Sequence, residues 1–294
     1  MEELSIAYVI TTMNRAGRGL DKTLASLEAL QHPNCRWEIA IGDNGSTDHT
    51  RALVEDFARR MPVPVHYVNQ PRPGKCRALN AAILATSASW LALSDDDCYP
   101  QPDYLQALEK AVQTHREAAY FGGRVLLYDP TDADITTQYD NSVHIFPPYG
   151  LISPGHIHGA NLCCRRSAWE QVGGFDNRFG AGTPFGSDDV EFLTRISGQG
   201  LGGAFEPSLM VLHHHGRKQG PEMRQRMIYY AEARGAFYAS ALGIPSMRAK
   251  ILRFWLGTTR ANILKGEWET VKGEMRGAWG LWRTPKEVNL PEKN

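Results

Sequence analysis

The sequence predicts an α/β protein: a mostly parallel central sheet flanked by helices, with a helical extension at its C-terminal end. Three observations predict it. Short runs rich in β-formers alternate with stretches whose apolar residues recur at helical spacing. Polar clusters stand immediately after the apolar runs. Past about residue 215 the alternation gives way to helical patterning alone.

The elements follow in order. Residues 6–12 are a short apolar run that ends in the loop composition Asn14-Arg15-Ala16-Gly17, after which Leu20, Leu24, Leu27 and Leu30 recur at helical spacing. The same alternation continues with strands at 37–41, 63–68 and 90–94 and helices at 50–60, 77–86 and 104–115. In parallel sheets ligands sit at the carboxyl ends of the strands. The polar loops Thr11-Thr12-Met13-Asn14-Arg15, Asp43-Asn44-Gly45-Ser46-Thr47-Asp48 and Asp95-Asp96-Asp97 are therefore expected to converge on one sheet edge. Residues 129–154 lack this regularity and read as an irregular insertion. A strand-then-helix pattern returns over 160–172, and a short helix is expected at 188–198. Helical patterning then runs from Glu222 to near Trp282, with breaks at Gly243-Ile244-Pro245 and near Gly257.

Composition bounds the function. The chain of 294 residues is long enough for a sizeable core, and 42% apolar with 22% charged residues is ordinary for a folded protein. Lys plus Arg and Asp plus Glu are both 32, so no nucleic-acid partner is expected. The charge is uneven, however: residues 246–286 hold nine basic against three acidic residues, which leaves the remainder acidic. Five cysteines without a C-x-x-C pair indicate neither a disulfide framework nor a zinc knuckle, and fit a reducing compartment. Glu2 and Glu3 stand where a signal peptide would be basic, and no run approaches the about 18 apolar residues of a membrane span. The expectation is a cytoplasmic protein, with peripheral contact at the inner face of the membrane left open.

Asp95-Asp96-Asp97 is the most informative tripeptide. Adjacent carboxylates repel one another and are costly to bury without a cation, and Mg²⁺ or Mn²⁺ binds through one or two carboxylates while substrate phosphates supply further oxygens. An isolated Asp-Asp-Asp is equally a solvated acidic turn before the next helix. Asp43 and Asp48 taken alone read as a helix-entry turn, Asp48 being a cap for the helix at Thr50. Asp188-Asp189 alone reads as a charge pair at a helix N-terminus. The joint occurrence of these motifs, in this order, is what a purely structural reading fails to explain.

The runs Ile6-Ala7-Tyr8-Val9-Ile10-Thr11-Thr12-Met13-Asn14-Arg15, Gly42-Asp43-Asn44-Gly45-Ser46-Thr47-Asp48, Gly74-Lys75-Cys76-Arg77-Ala78-Leu79-Asn80 and Leu93-Ser94-Asp95-Asp96-Asp97 together resemble the family 2 glycosyltransferases of the GT-A fold. The likeness continues through Gly159-Ala160-Asn161, Val172-Gly173-Gly174-Phe175-Asp176, Asp188-Asp189-Val190-Glu191-Phe192 and His213, and covers about the first 215 residues. It implies a GT-A nucleotide-diphospho-sugar transferase fold over residues 1–215, with about 1–100 binding the nucleotide-sugar and about 101–215 supplying the acceptor side and base. Residues 216–294 are the helical extension. The implied reaction is inverting transfer from a nucleotide-sugar, commonly a UDP-sugar, to a hydroxyl of a saccharide or lipid-linked glycan, as in bacterial surface polysaccharide synthesis, with Mn²⁺ or Mg²⁺.

The resemblance also implies roles. Asp43 would accept a hydrogen bond from the nucleobase, with Thr11, Asn14 and Arg15 in the loop beside it. Lys75 and Asn80 would line the diphosphate and ribose, Lys75 being equally an exposed loop lysine. Asp97 aligns with the metal ligand, Asp96 with a metal or ribose contact, and Asp95 with the same donor site. In the family a Glu-Asp pair supplies the catalytic base; here it reads Asp188-Asp189, and Asp189 is preferred. His213 matches the family's metal-binding histidine, with His215, on the same strand face, as the substitute.

Phe254, Trp255, Trp268, Trp279 and Trp282, interleaved with basic residues, suit either an anionic membrane interface or packing on the catalytic domain or a second subunit. Oligomeric state stays open. Competing classes are a metal-dependent nucleotidyltransferase, whose Gly-rich opening loop residues 11–17 resemble poorly, and a catalytically dead nucleotide-sugar- or carbohydrate-binding scaffold. A haloacid-type phosphatase would need D-x-D after the first strand, where this chain has Thr-Thr-Met-Asn.

Overall fold

A computed structural model describes residues 3–287 and 290 of the chain. The first half alternates β1 (Ser5–Thr12), α1 (Leu20–Glu28), β2 (Arg36–Asp43), α2 (Thr50–Arg60), β3 (Val65–Asn69), α3 (Lys75–Leu84) and β4 (Trp90–Asp95). The chain continues through β5 (Cys98–Pro100), α4 (Tyr104–Thr114), β6 (Tyr120–Leu127) and β7 (His144–Phe146), then a 3₁₀ turn at Gly159–Asn161, β8 (Leu162–Arg165) and α5 (Arg166–Gln171). After α6 (Asp188–Gly198) and β9 (Gly203–His213) come three helices, α7 (Pro221–Ala241), α8 (Arg248–Leu264) and α9 (Trp268–Arg283).

The sheet runs β3-β2-β1-β4-β8-β6-β9-β5, with β7 added against β9. It is parallel through β3, β2, β1 and β4, and there β1 ends at Thr12 beside Asp43 of β2 and Thr11 pairs with Asp95 of β4. Three strand ends thus stop level, which is what brings three polar loops to one edge. The second half is mixed, because β8 lies antiparallel to both β4 and β6, β9 returns parallel to β6, and β5 and β7 run antiparallel to β9.

Helices cover both faces. Ile6, Tyr8 and Ile10 of β1 bury with Leu20, Leu24 and Leu27 of α1, Val54 and Phe57 of α2 and Leu105 and Leu108 of α4. The alternate residues Ala7 and Val9 bury with Leu79 and Ile83 of α3, Trp169 of α5 and Phe192 and Leu193 of α6. Ile6, Ala7, Tyr8, Val9 and Ile10 are each 0–1% exposed, so the middle of the strand is sealed from both sides.

Four elements differ from the sequence reading. β5, β6 and β7 were not expected. β6 carries Gly122-Gly123, which weakens a strand pattern; here a Cβ at Gly123 would strike the Leu209 carbonyl, and the register against β9 shifts at that point. β7 is a short strand inside the stretch read as irregular. The second break in the C-terminal helices falls at Gly266, with φ of 75°, and not near Gly257, which sits inside α8 with open space where its side chain would be.

Helices α7 and α9 cross at unusually close range. Cβ atoms at Gly277 and Gly235 would collide with the carbonyl oxygens of Glu232 and Glu274, and Gly273 sits against Ala231. Arg234 donates to the buried Glu274 at 2.7 Å across this contact. Among the described residues no helix is long and apolar enough to cross a membrane. Gly277→Ala is predicted to cost about 1–3 kcal/mol, the range for overpacking a close contact, seen as a lower urea midpoint; Gly257→Ala, facing open space, does not lower it.

Candidate active site

The site begins with a ladder. β4 ends at Asp95, and Asp96 and Asp97 form the turn into β5. The Thr23 hydroxyl donates to the Asp96 carbonyl at 2.6 Å, and the His214 amide donates to that of Asp97 at 2.8 Å. Because β5 pairs with β9 in a register that sets Cys98 opposite His213, the His213 Nε2 comes 3.4 Å from Asp97 Oδ1. Asp97, Cys98 and His213 offer donor atoms within 4.8 Å of one another. Burial holds the Cys98 thiol well above its ordinary pKa. Asp97 and His213 offer a carboxylate oxygen and an imidazole nitrogen, a donor pair that could hold a divalent cation.

Charges around this pair are balanced by two cations. Arg15 Nε lies 3.5 Å from Asp96 Oδ1, and its Nη2 3.9 Å from Asp97 Oδ2. Burial, aided by Asp97 and Asp95, pushes Asp96 up to about 6, although Arg15 opposes it. Burial acts on Asp97 the same way, but the hydrogen bond and charge of His213, with Arg15 and Arg217, hold it below its ordinary value. Lys75 Nζ, from the first turn of α3, lies 2.7 Å from Asp95 Oδ1 and 3.5 Å from Asp188 Oδ2, bridging the sheet edge to α6. Burial would depress this ammonium, yet the two carboxylates raise it well above its ordinary value. Asp188 is raised by burial and by Asp189 and Asp95, against the pull of Lys75.

Asp188 and Asp189 open α6 after Ser187, whose φ of 66° is left-handed. Asp189 Oδ2 accepts the Gly159 amide at 2.9 Å and its Oδ1 the Val190 amide at 2.7 Å, so the side chain is fixed from both sides. Burial lowers the neighbouring His158, with Asp189 opposing.

These groups open onto one cavity of about 920 Å³. Thr11, Arg15, Lys75, Asp95, Asp96, Asp97, Asp188, Asp189 and His213 all line it. Its wall carries six carboxylates against four Lys and Arg side chains, a formal −2 that a divalent cation would neutralise.

Four expected residues are not on that wall. Asn14, at φ 53°, accepts the Thr47 amide at 2.8 Å and so splices the first loop to the second. Asp43 is 1% exposed, accepting the Ser46 amide at 2.8 Å and the Tyr67 hydroxyl at 2.5 Å, while its neighbour Asn44 lines the cavity. Asn80 is used up inside the fold: it donates to the Phe175 carbonyl and accepts the Phe175 amide, both at 2.9 Å, so it braces α3 and not a ligand. His215 lies beyond the end of β9, its Nδ1 accepting the Arg217 amide at 3.0 Å and standing 3.7 Å from Asp132 Oδ2, while His213 is the histidine beside Asp97. Asp48 accepts the Thr50 amide at 3.0 Å and the Ala16 amide at 3.2 Å, the structural reading of that residue.

Other lining residues were missed, among them His158, Arg217, Gln225, Arg226 and Tyr229. Glu222, Gln225, Arg226 and Tyr229 fall at i, i+3, i+4 and i+7 of α7, so a polar stripe on one helical face was the signal available.

Comparison with known proteins bears on the family and the fold. The model of glycosyl transferase family 2 matches residues 8–170. The glycosyltransferase AglE of Haloferax volcanii is 24% identical over 210 residues, 71% of this chain and 66% of that protein. An N-acetylglucosaminyl-diphospho-decaprenol L-rhamnosyltransferase of Mycobacterium tuberculosis is 25% identical over 268 residues, 79% of this chain and 83% of that one. Against AglE and the next two curated relatives the chain spans 42–66% of their length, less than two thirds. Among solved structures, the mannosyltransferase PcManGT of Pyrobaculum calidifontis, in complex with GDP-Man and Mn²⁺, superposes with a TM-score of 0.63 at 17% identity, covering 95% of this chain and 87% of that one. The fold is thereby the GT-A glycosyltransferase fold, with C-terminal helices.

Lys75→Met is predicted to lose about 1–3 kcal/mol of stability, because it leaves two half-buried carboxylates without their cation. Adding Asp188→Asn recovers part of that loss in a double-mutant unfolding cycle.

Proposed function

The chain belongs to glycosyl transferase family 2, and from that premise we propose that it transfers a sugar, with inversion, from a nucleotide-diphosphate sugar to an acceptor hydroxyl. The observation that carries the reading is the meeting of the Asp97 and His213 pair with Asp189 in one cavity at the carboxyl edge of the sheet. A UDP-sugar is the first donor to test. The acceptor is a saccharide or lipid-linked glycan of the kind built into bacterial surface polysaccharides, a reading supported by the name of the mycobacterial relative.

In this reading Asp97 and His213 would hold Mn²⁺ or Mg²⁺, with Asp96 beside them, and the Mn²⁺ in the PcManGT complex supports a divalent ion. Such an ion, when bound, offsets charge on the departing diphosphate. Thr11 and Asn44, at the wall, would face the nucleobase, while Asp43, buried behind them and held by the Ser46 amide and the Tyr67 hydroxyl, orders the loop that carries Asn44. Lys75 and Arg15 are the cations nearest the aspartates and swing to the phosphates when these enter. Asp189 draws the proton from the acceptor hydroxyl as the oxygen bonds to the anomeric carbon and the diphosphate leaves. Its two amide contacts orient it, whereas Asp188 is committed to Lys75. Residues 1–100 would thus serve the donor, 101–215 the acceptor and base, and 216–294 form the extension whose α7 closes one wall.

The test is turnover of a nucleotide-sugar panel with Mn²⁺, read by nucleoside diphosphate release; pyrophosphate release would indicate nucleotidyl transfer, and binding without turnover a dead scaffold. Asp189→Asn is predicted to lower kcat about a hundred- to ten-thousandfold with donor affinity little changed, and Asp188→Asn to cost less. Anomeric coupling in the product by proton NMR is predicted to show inversion; retention contradicts the mechanism.

A further inference from the structure

The C-terminal helices have a face that the reaction leaves unused. Of the aromatic residues there, Trp255 stacks on Tyr238 with ring centres 5.2 Å apart and donates to Glu274 at 3.0 Å, so it belongs to the packing of the extension. Trp268, Trp279 and Trp282 do not. They are 53%, 60% and 77% exposed, with Met275 at 59%.

On α9 these four stand at i, i+7, i+11 and i+14, one face of a helix turning about 100° per residue. The opposite face, Gly273, Gly277 and Leu281, is the buried one. A helix packed on its own protein ordinarily buries its large apolar face, and α9 does the reverse. Its glycines lie too close to the α7 backbone for the helix to roll its tryptophans inward. The exposed stripe is bordered by Lys272, which pairs with Glu269 at 3.2 Å, by Arg276, which pairs with Glu232 at 2.8 Å, and by Arg283, and Leu264 at the end of α8 is 77% exposed. Residues 246–286 hold nine basic against three acidic residues, and of these three Glu274 is buried, where it pairs with Arg234 of α7.

Exposed tryptophans in a cationic border match the headgroup region of an anionic bilayer, where indole sits at the interface and Lys and Arg meet lipid phosphates. A second copy of the chain fits poorly, because a two-fold contact through this face would bring the same cations together. We propose that the Trp268, Met275, Trp279 and Trp282 face of α9 docks the protein on anionic phospholipid membranes. Helix α7 links the docked face to the cavity, since Ala231 and Gly235 pack on α9 while Arg226 and Tyr229 line the wall. Docking is independent of the transfer reaction proposed above; only its use in meeting a lipid-linked acceptor rests on that reading.

The test is flotation of the full chain with phosphatidylglycerol-containing vesicles and with pure phosphatidylcholine vesicles. The chain is predicted to float with the anionic vesicles and to be released by high salt. Lys272→Glu with Arg283→Glu is predicted to weaken partitioning more than about tenfold, and Trp279→Ser with Trp282→Ser to abolish flotation. Both variants are expected to melt as the parent does and to keep its nucleotide-sugar turnover. Failure of the parent to float, equal flotation of the variants, or a dimer by light scattering that the tryptophan variant splits without any vesicle binding, overturns the proposal.

Discussion

Three consecutive carboxylates in a tight turn are tolerable only if something answers their charge, and the rest of the site is arranged around that need. The β5–β9 register sets His213 against Asp97, Arg15 reaches Asp96 and Asp97 from the loop after β1, and Lys75 spans Asp95 and Asp188. Each answering group comes from a different element, so the turn is also what ties the parallel half of the sheet to the mixed half. With the charges of Arg15 and Lys75 already spent, the wall is still net negative, which is the condition under which a divalent ion and a diphosphate are better bound together than apart.

Much of this was legible in the sequence because the chemistry sits on a regular frame. Thr11, Asp43 and Asp95 each end an apolar run, and level strand ends follow from parallel pairing, so their convergence was foreseeable. Asp188 and Asp189 mark the start of a helix wherever it packs. What the sequence hid were choices that depend on tertiary neighbours. Asn80 resembles a ligand residue by motif, yet the Phe175 backbone consumes both ends of its amide. His213 and His215 were expected on one strand face, but β9 ends at His213, which meets Asp97, and His215 lies beyond it against the Arg217 amide and Asp132. β6 was invisible for a related reason, its paired glycines serving a close approach to β9 that no single-strand pattern reveals.

The extension shows the same logic in a different form. Its helices were readable from periodicity, but amphipathicity alone gives two faces without saying which is inward. Gly273 and Gly277 decide it: backbone contact with α7 holds them inside, and the tryptophans are left at the surface. The polar stripe of α7, unremarked in sequence, then supplies the cavity with a wall that the sheet does not provide.

The central claim is that Asp97 and His213 together bind a divalent ion that a nucleoside diphosphate completes. Titration of free Mn²⁺ followed by electron paramagnetic resonance, with and without UDP, tests it directly. The prediction is uptake of Mn²⁺ that tightens when UDP is present and is lost in Asp97→Ala and in His213→Ala, each variant remaining folded by circular dichroism. Mn²⁺ uptake that is absent from the parent chain, or undiminished in both variants, contradicts it.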